Sequence, residues 1–79
     1  MNEPKAPEYQ WGQLVKAAAN LYNDGSFPDA LPDALLIPSD TPGEIVNVGL
    51  VEASGEPLYL VEFTGGQVIG VFENEIVRA

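Results

Sequence analysis

Apolar and polar positions alternate with period two along several short runs near the end of the chain, and glycine-containing turns separate them. In residues 44–50, Val46, Val48 and Leu50 alternate with Ile45, Asn47 and Gly49, which is strand patterning. In residues 58–64, Tyr59, Val61 and Phe63 share one face, and Leu58, Leu60 and Glu62 share the other. β-branched and aromatic residues suit such a half-buried strand. Gly65-Gly66 predicts a tight hairpin. Residues 68–73 then return antiparallel, with Gly70 where a curved sheet bends. Asn74-Glu75 predicts a short turn and Ile76-Val77 a last short strand. Upstream, residues 53–57 form a polar turn around Gly55, and Asp40-Thr41-Pro42-Gly43 predicts the turn that launches the first clear strand.

The first half of the chain is less regular. In residues 12–22, Leu14, Val15, Ala18, Leu21 and Tyr22 make a helical stripe, and three consecutive alanines favour a helix by propensity. As a strand, the same segment puts Val15, Ala17, Ala19 and Leu21 on one face, where small inward residues suit a tight barrel. Pro28, Pro32, Pro38 and Pro42 exclude a long helix over residues 23–42, because each removes a backbone donor. Asn23-Asp24-Gly25 is turn chemistry. Phe27 and Leu35-Leu36-Ile37 are too apolar to remain in water, so the loop is expected to wrap and plug the body, with residues 35–37 as a short strand or a helical turn. Residues 1–10 hold little to bury and read as a flexible N-terminal tail, with Trp11 as the first residue to dock. The predicted fold class is all-β: a small SH3-like, partly open barrel of about five short antiparallel strands, with a long Pro-rich loop after the first strand.

Charge changes the functional picture most. The 79 residues carry a formal net charge of −9, and Lys5, Lys16 and Arg78 are the only bases. Every acid except Glu3 and Glu8 lies between Lys16 and Arg78, with no base among them. Nucleic acid is therefore not an expected partner, since its recognition needs cations against phosphate. Anionic membranes are disfavoured for the same reason, while a basic protein partner is permitted. The chain has no cysteine and no histidine, which removes thiolate chemistry and the commonest general base. MNEPKAPEYQ shows no signal-peptide pattern, so the expected location is cytoplasmic.

Paired carboxylates occur as Glu73 and Glu75, Asp29 and Asp33, and Asp24 and Asp29. Nothing in the sequence surrounds them with a pocket, so no catalytic residue, metal site or cofactor is assigned. Asn23 and Asp24 are expected to cap their own turn. Phe27, Pro28 and Trp11 read either as core anchors or as exposed contacts for a partner.

The ordered motifs resemble one family. Asn23-Asp24-Gly25-Ser26-Phe27-Pro28 resembles the N-D-G-[ST]-[YF]-P element of the NifZ family. Leu35-Leu36-Ile37 followed by Pro42-Gly43-Glu44-Ile45-Val46-Asn47-Val48-Gly49, then Leu58-Tyr59-Leu60-Val61-Glu62-Phe63, Val68-Ile69-Gly70 and Glu73-Asn74-Glu75-Ile76, are similar to its later blocks in the same order. The resemblance spans residues 12–77 and implies that residues 12–20 form a first strand, against local propensity. It departs from the family at Val71, where members often carry a cysteine, and at Ala17, Ala19, Pro38 and Ser39, where they are more basic. It implies one SH3-like domain over residues 11–79 and a non-enzymatic, chaperone-like accessory protein. Such a protein would assist maturation of the nitrogenase molybdenum–iron protein, at formation of its larger iron–sulfur cluster, by contact with that metalloprotein or its assembly factors. The alternative is an SH3-like binding subunit or regulatory module of another metalloenzyme or electron-transfer complex. On either reading the partner-binding candidates are Trp11, Asn23, Asp24, Gly25, Phe27 and Pro28.

Overall fold

A computed structural model describes residues 6–25, 28 and 30–79. Its strands are β1 (Leu14–Ala17), β2 (Leu21–Tyr22), β3 (Leu35–Ile37), β4 (Pro42–Leu50), β5 (Pro57–Phe63), β6 (Val68–Phe72) and β7 (Ile76–Arg78). A 3-10 turn over Glu73–Glu75 joins the last two. Five strands form one antiparallel sheet in the order β6-β5-β4-β1-β7, and β2 and β3 form a separate two-stranded ribbon. The expected all-β, partly open architecture is thus what the structure shows, with the ribbon as an addition.

The sheet follows from the alternation. Tyr59, Val61 and Phe63 of β5 all point inward and are at most 1% exposed. Ile69 and Val71 of β6, Val15 and Ala17 of β1, and Ile76 of β7 complete that face, and Leu21 and Ile37 of the ribbon cover it. Burying each large apolar side chain contributes about 1.5–3 kcal/mol. In β4 the alternation changes phase. Ile45 pairs with Val61 and is fully buried, but Asn47 pairs with Leu60, so Val46 is an extra residue on its strand. After this bulge Val48 packs on the core, where the earlier phase would have turned it out.

Gly43 has a separate reason to be glycine. A Cβ there would lie 2.6 Å from Val61 Cγ1 and 3.0 Å from the Glu62 carbonyl oxygen, so β4 can approach β5 this closely only without a side chain. At the hairpin between β5 and β6, Gly65 and Gly66 have φ of +105° and +91°, the left-handed backbone expected of that pair.

Three details differ from expectation. The first strand is shorter than residues 12–20. It ends at Ala17, whose carbonyl accepts the Asp40 N–H (2.9 Å), and Ala18 N–H turns to the Glu75 carbonyl (2.9 Å). Ala19 is therefore exposed rather than inward. The turn before β4 lies earlier, at residues 38–41, because Thr41 donates from both its N–H (3.2 Å) and its hydroxyl (2.7 Å) to the Pro38 carbonyl. Pro42 then opens the strand, a position where a missing donor is tolerated. Finally, docking begins before Trp11. Tyr9 is buried in the core and Trp11 is 74% exposed, so the aromatic that anchors the incoming chain is the tyrosine.

Candidate functional site

The loop singled out by sequence is organised around Asn23. Its residue is only 2% exposed, the one buried polar side chain among the described residues. Its Nδ2 donates to the carbonyls of Ala30 (3.0 Å) and Leu31 (3.1 Å), and its Oδ1 accepts the Gly25 N–H at 3.0 Å. Its backbone N–H donates to the Ala34 carbonyl, and its carbonyl accepts the Asp33 N–H, both at 2.8 Å. One asparagine thus ties both sides of the loop together at the end of the ribbon. The bond to Gly25 is the self-capping expected of Asn23, and Gly25 takes φ of +101° to make it.

The other candidates are placed differently. Asp24, Gly25 and Pro28 lie on the surface of the same loop. Phe27 lies outside the described residues, as do Ser26 and Asp29 of the motif and the carboxylate pairs. Trp11 belongs to another element: a turn in which Gln13 N–H donates to the Gln10 carbonyl and Gly12 N–H to the Ile45 carbonyl (2.7 Å), beside β4. Asn23 itself faces inward, so it shapes the loop rather than presenting itself.

Sequence reading missed a second cluster, built on Tyr59. The Tyr59 hydroxyl donates to Glu73 Oε2 at 2.7 Å and accepts the N–H groups of Glu8 (2.9 Å) and Tyr9 (3.2 Å). Glu8 N–H also reaches Glu73 Oε2 (2.9 Å), and the Tyr9 hydroxyl donates to the Ile76 carbonyl (3.4 Å). The two rings meet edge to face with centroids 5.6 Å apart. Burial, first, raises both phenols above their ordinary 10.0; for Tyr9 the hydrogen bond with Glu8 adds to this, and for Tyr59 that with Glu73 does, while the Tyr59 bond to the Tyr9 backbone opposes it. These bonds tie residues 8 and 9 to Tyr59 and Ile76, so the cluster is a clasp for them. The only advance signal was Tyr9 standing as an aromatic within a polar segment.

Glu73 and Glu75 have structural work as well. Glu75 Oε1 accepts the Phe72 N–H at 2.8 Å, closing the 3-10 turn. Among the described residues no three acidic side chains gather to hold a metal ion. Three surface hollows measure about 270, 330 and 220 Å³. The smallest runs between β6 and the ribbon and is lined by Tyr22, Asp24, Leu36 and Glu75 beside residues 68–72. Leu58, Leu60, Val68 and Phe72 stand partly exposed on the outer face of β5 and β6.

A family model for the NifZ domain matches residues 6–78, nearly the whole chain. The chain belongs to the NifZ family. A relative named Protein NifZ from Frankia alni is 34% identical over 73 residues, covering 90% of this chain and 38% of its own length. Proteins of the same name from Azotobacter chroococcum mcd 1 and Azotobacter vinelandii are each 31% identical over 74 residues, covering 92% of this chain and 46% of theirs. The chain therefore spans less than half the length of these curated NifZ relatives. No solved structure matches it. Within the NifZ domain, Val71 on β6, opposite Tyr59 of β5, is a core position at 1% exposure. No helix of the described residues is long and apolar enough to cross a membrane.

Proposed function

We propose that this chain is a non-enzymatic accessory module that assists maturation of the nitrogenase molybdenum–iron protein through protein–protein contacts in the cytoplasm. The observation that carries this reading is the NifZ family match across residues 6–78. The family's association is with nitrogen fixation, at formation of the larger iron–sulfur cluster. The chemistry of the chain agrees with a contact role. Its carboxylates at Glu73 and Glu75 are engaged in fold-holding bonds, and its exposed apolar residues, Trp11 and Leu31 above all, are the kind that anchor partners. Asp24, Gly25 and Pro28, displayed on the loop that Asn23 holds, are the proposed rim of that contact, with Trp11 and Phe27 as its apolar members.

The test is affinity capture of the tagged full-length protein from nitrogen-fixing cells. Nitrogenase molybdenum–iron protein or its assembly factors should co-purify. Recovery of an unrelated metalloenzyme in their place would reject the assignment.

A further inference from the structure

The five-stranded sheet has two edges, and they are finished differently. β7 is a three-residue strand that carries Arg78. β6 has five residues, Val-Ile-Gly-Val-Phe, with no charge, no proline and no bulge in its pairing with β5. Folded proteins usually blunt an edge of that kind.

The pairing register shows which backbone groups face outward. Phe63 N–H donates to the Gln67 carbonyl (2.9 Å). Continuing that ladder, Ile69 and Val71 turn their N–H and C=O groups toward β5, opposite Val61 and Tyr59. Val68, Gly70 and Phe72 turn theirs to the open side. Phe72 N–H is taken there by Glu75, which confirms the parity. The groups of Val68 and Gly70 have no such cap among the described residues. The 220 Å³ hollow opens beside them and is lined also by Tyr22, Leu36, Asp24 and Glu75.

We propose that the β6 edge is a strand-addition site. An extended segment of a partner protein pairs with Val68 and Gly70, sets apolar side chains at alternate positions against Tyr22 and Leu36, and brings lysine or arginine to the acidic rim. Main-chain bonds supply the pairing, and pockets for alternate side chains select the sequence. A net charge of −9 favours a basic segment and opposes a second copy of this chain. Gly70 turns its N–H and C=O to the open side, while a Cβ there would stand on the outer face against Leu60 Cδ2 (3.6 Å) and Leu58 Cδ1 (4.0 Å), away from the pairing edge.

This inference rests on the contact role proposed above, but its test is separate. The probe is a blocked synthetic peptide of alternating valine and threonine with lysines at both ends, titrated into isotope-labelled protein and followed by amide NMR. The Val68 and Gly70 amides should shift and exchange at least about tenfold more slowly once paired, since one unit of pairing free energy near 1.4 kcal/mol is a factor of ten. N-methylation of alternate peptide nitrogens should abolish binding in one phase and leave it intact in the other, because a strand offers only one edge to β6. Gly70→Pro should remove the donor, lower affinity at least about tenfold, and leave the Tyr59 and Val61 amides in place, since an edge tolerates proline. The proposal is overturned if both N-methyl phases bind alike, if shifts appear only around Leu58 and Leu60, if the protein dimerises through β6, or if the two amides stay unprotected at millimolar peptide. Co-purification with nitrogenase components after such a failure would remove the edge and keep the accessory role. Their absence beside a positive peptide result would do the reverse.

Discussion

The five-stranded sheet and the β2–β3 ribbon are held by opposite kinds of interaction. The sheet rests on repeated apolar burial: Tyr59, Val61 and Phe63 on one strand, with Ile45, Ile69 and Val71 on its neighbours. No single bond in it is decisive. The ribbon contributes Leu21 and Ile37 to the core, with Leu36 packed partly buried against it, and its register shifts within two residue pairs. Its loop depends on one polar side chain, Asn23, whose donors and acceptor all face inward. A region built from many equivalent contacts loses stability in proportion to what is removed. A region built on one hub opens locally when the hub is lost.

The sharpest way to break the contrast is Phe63→Ala. It should cost about 3–5 kcal/mol and lower the urea midpoint for every probe together, because the cavity sits in the shared core. Asn23→Ala should cost about 1–3 kcal/mol, leaving the Ala30 and Leu31 carbonyls without their donor. Its mark is selective: hydrogen exchange should quicken over residues 21–37 and stay slow in β5. Uniform quickening would show that ribbon and sheet are one cooperative unit.

Tyr59→Phe should cost about 1 kcal/mol at neutral pH by removing the acceptor of Tyr9 N–H and the donor to Glu73, while Glu8 N–H keeps Glu73 Oε2. It also sharpens a pH effect. Both phenols titrate higher in the folded chain than their ordinary 10.0, so the unfolded chain ionises first. Stability is then fully present below pH 10.0 and falls as pH rises through that value toward the folded one. Denaturant midpoints from neutrality to about pH 11 should show this fall in the native sequence and a shallower one in Tyr59→Phe. Smallest of all, Lys16→Ala removes a 3.6 Å exposed ion pair with Asp40 that links β1 to the turn before β4. A thermal melt should move by no more than about 0.5 kcal/mol allows.

Legibility in the sequence followed the same division. The faces of β5 and β6 could be read directly, because period two persists through Tyr59, Val61 and Phe63. β4 could be read only in part: the bulge at Val46 changes phase, and nothing local announces it. Local alanine propensity favoured a helix for β1 over the strand reading that puts Val15 and Ala17 on one face, and family resemblance decided for the strand. Pairing with β4 and β7 explains why the strand prevails. The loop was legible as turn chemistry, yet Asn23 was expected on a contact surface and is buried. A polar side chain that satisfies backbone groups seven and eight residues away leaves no periodic trace. Tyr9 was missed for a related reason, since its partners are distant in sequence.

That distance bears on the order in which the chain can become ordered. The Glu8 and Tyr9 bonds to Tyr59 and Ile76 join residues separated by 51, 50 and 67 positions. The clasp cannot close until β5 and β7 exist, because its acceptors are made by them. Residues 8 and 9 therefore wait for residues 57–78, and bear the loop-closure entropy of that separation at the end. Formation of the T-shaped tyrosine pair should be a late event in refolding, and its loss an early one in unfolding.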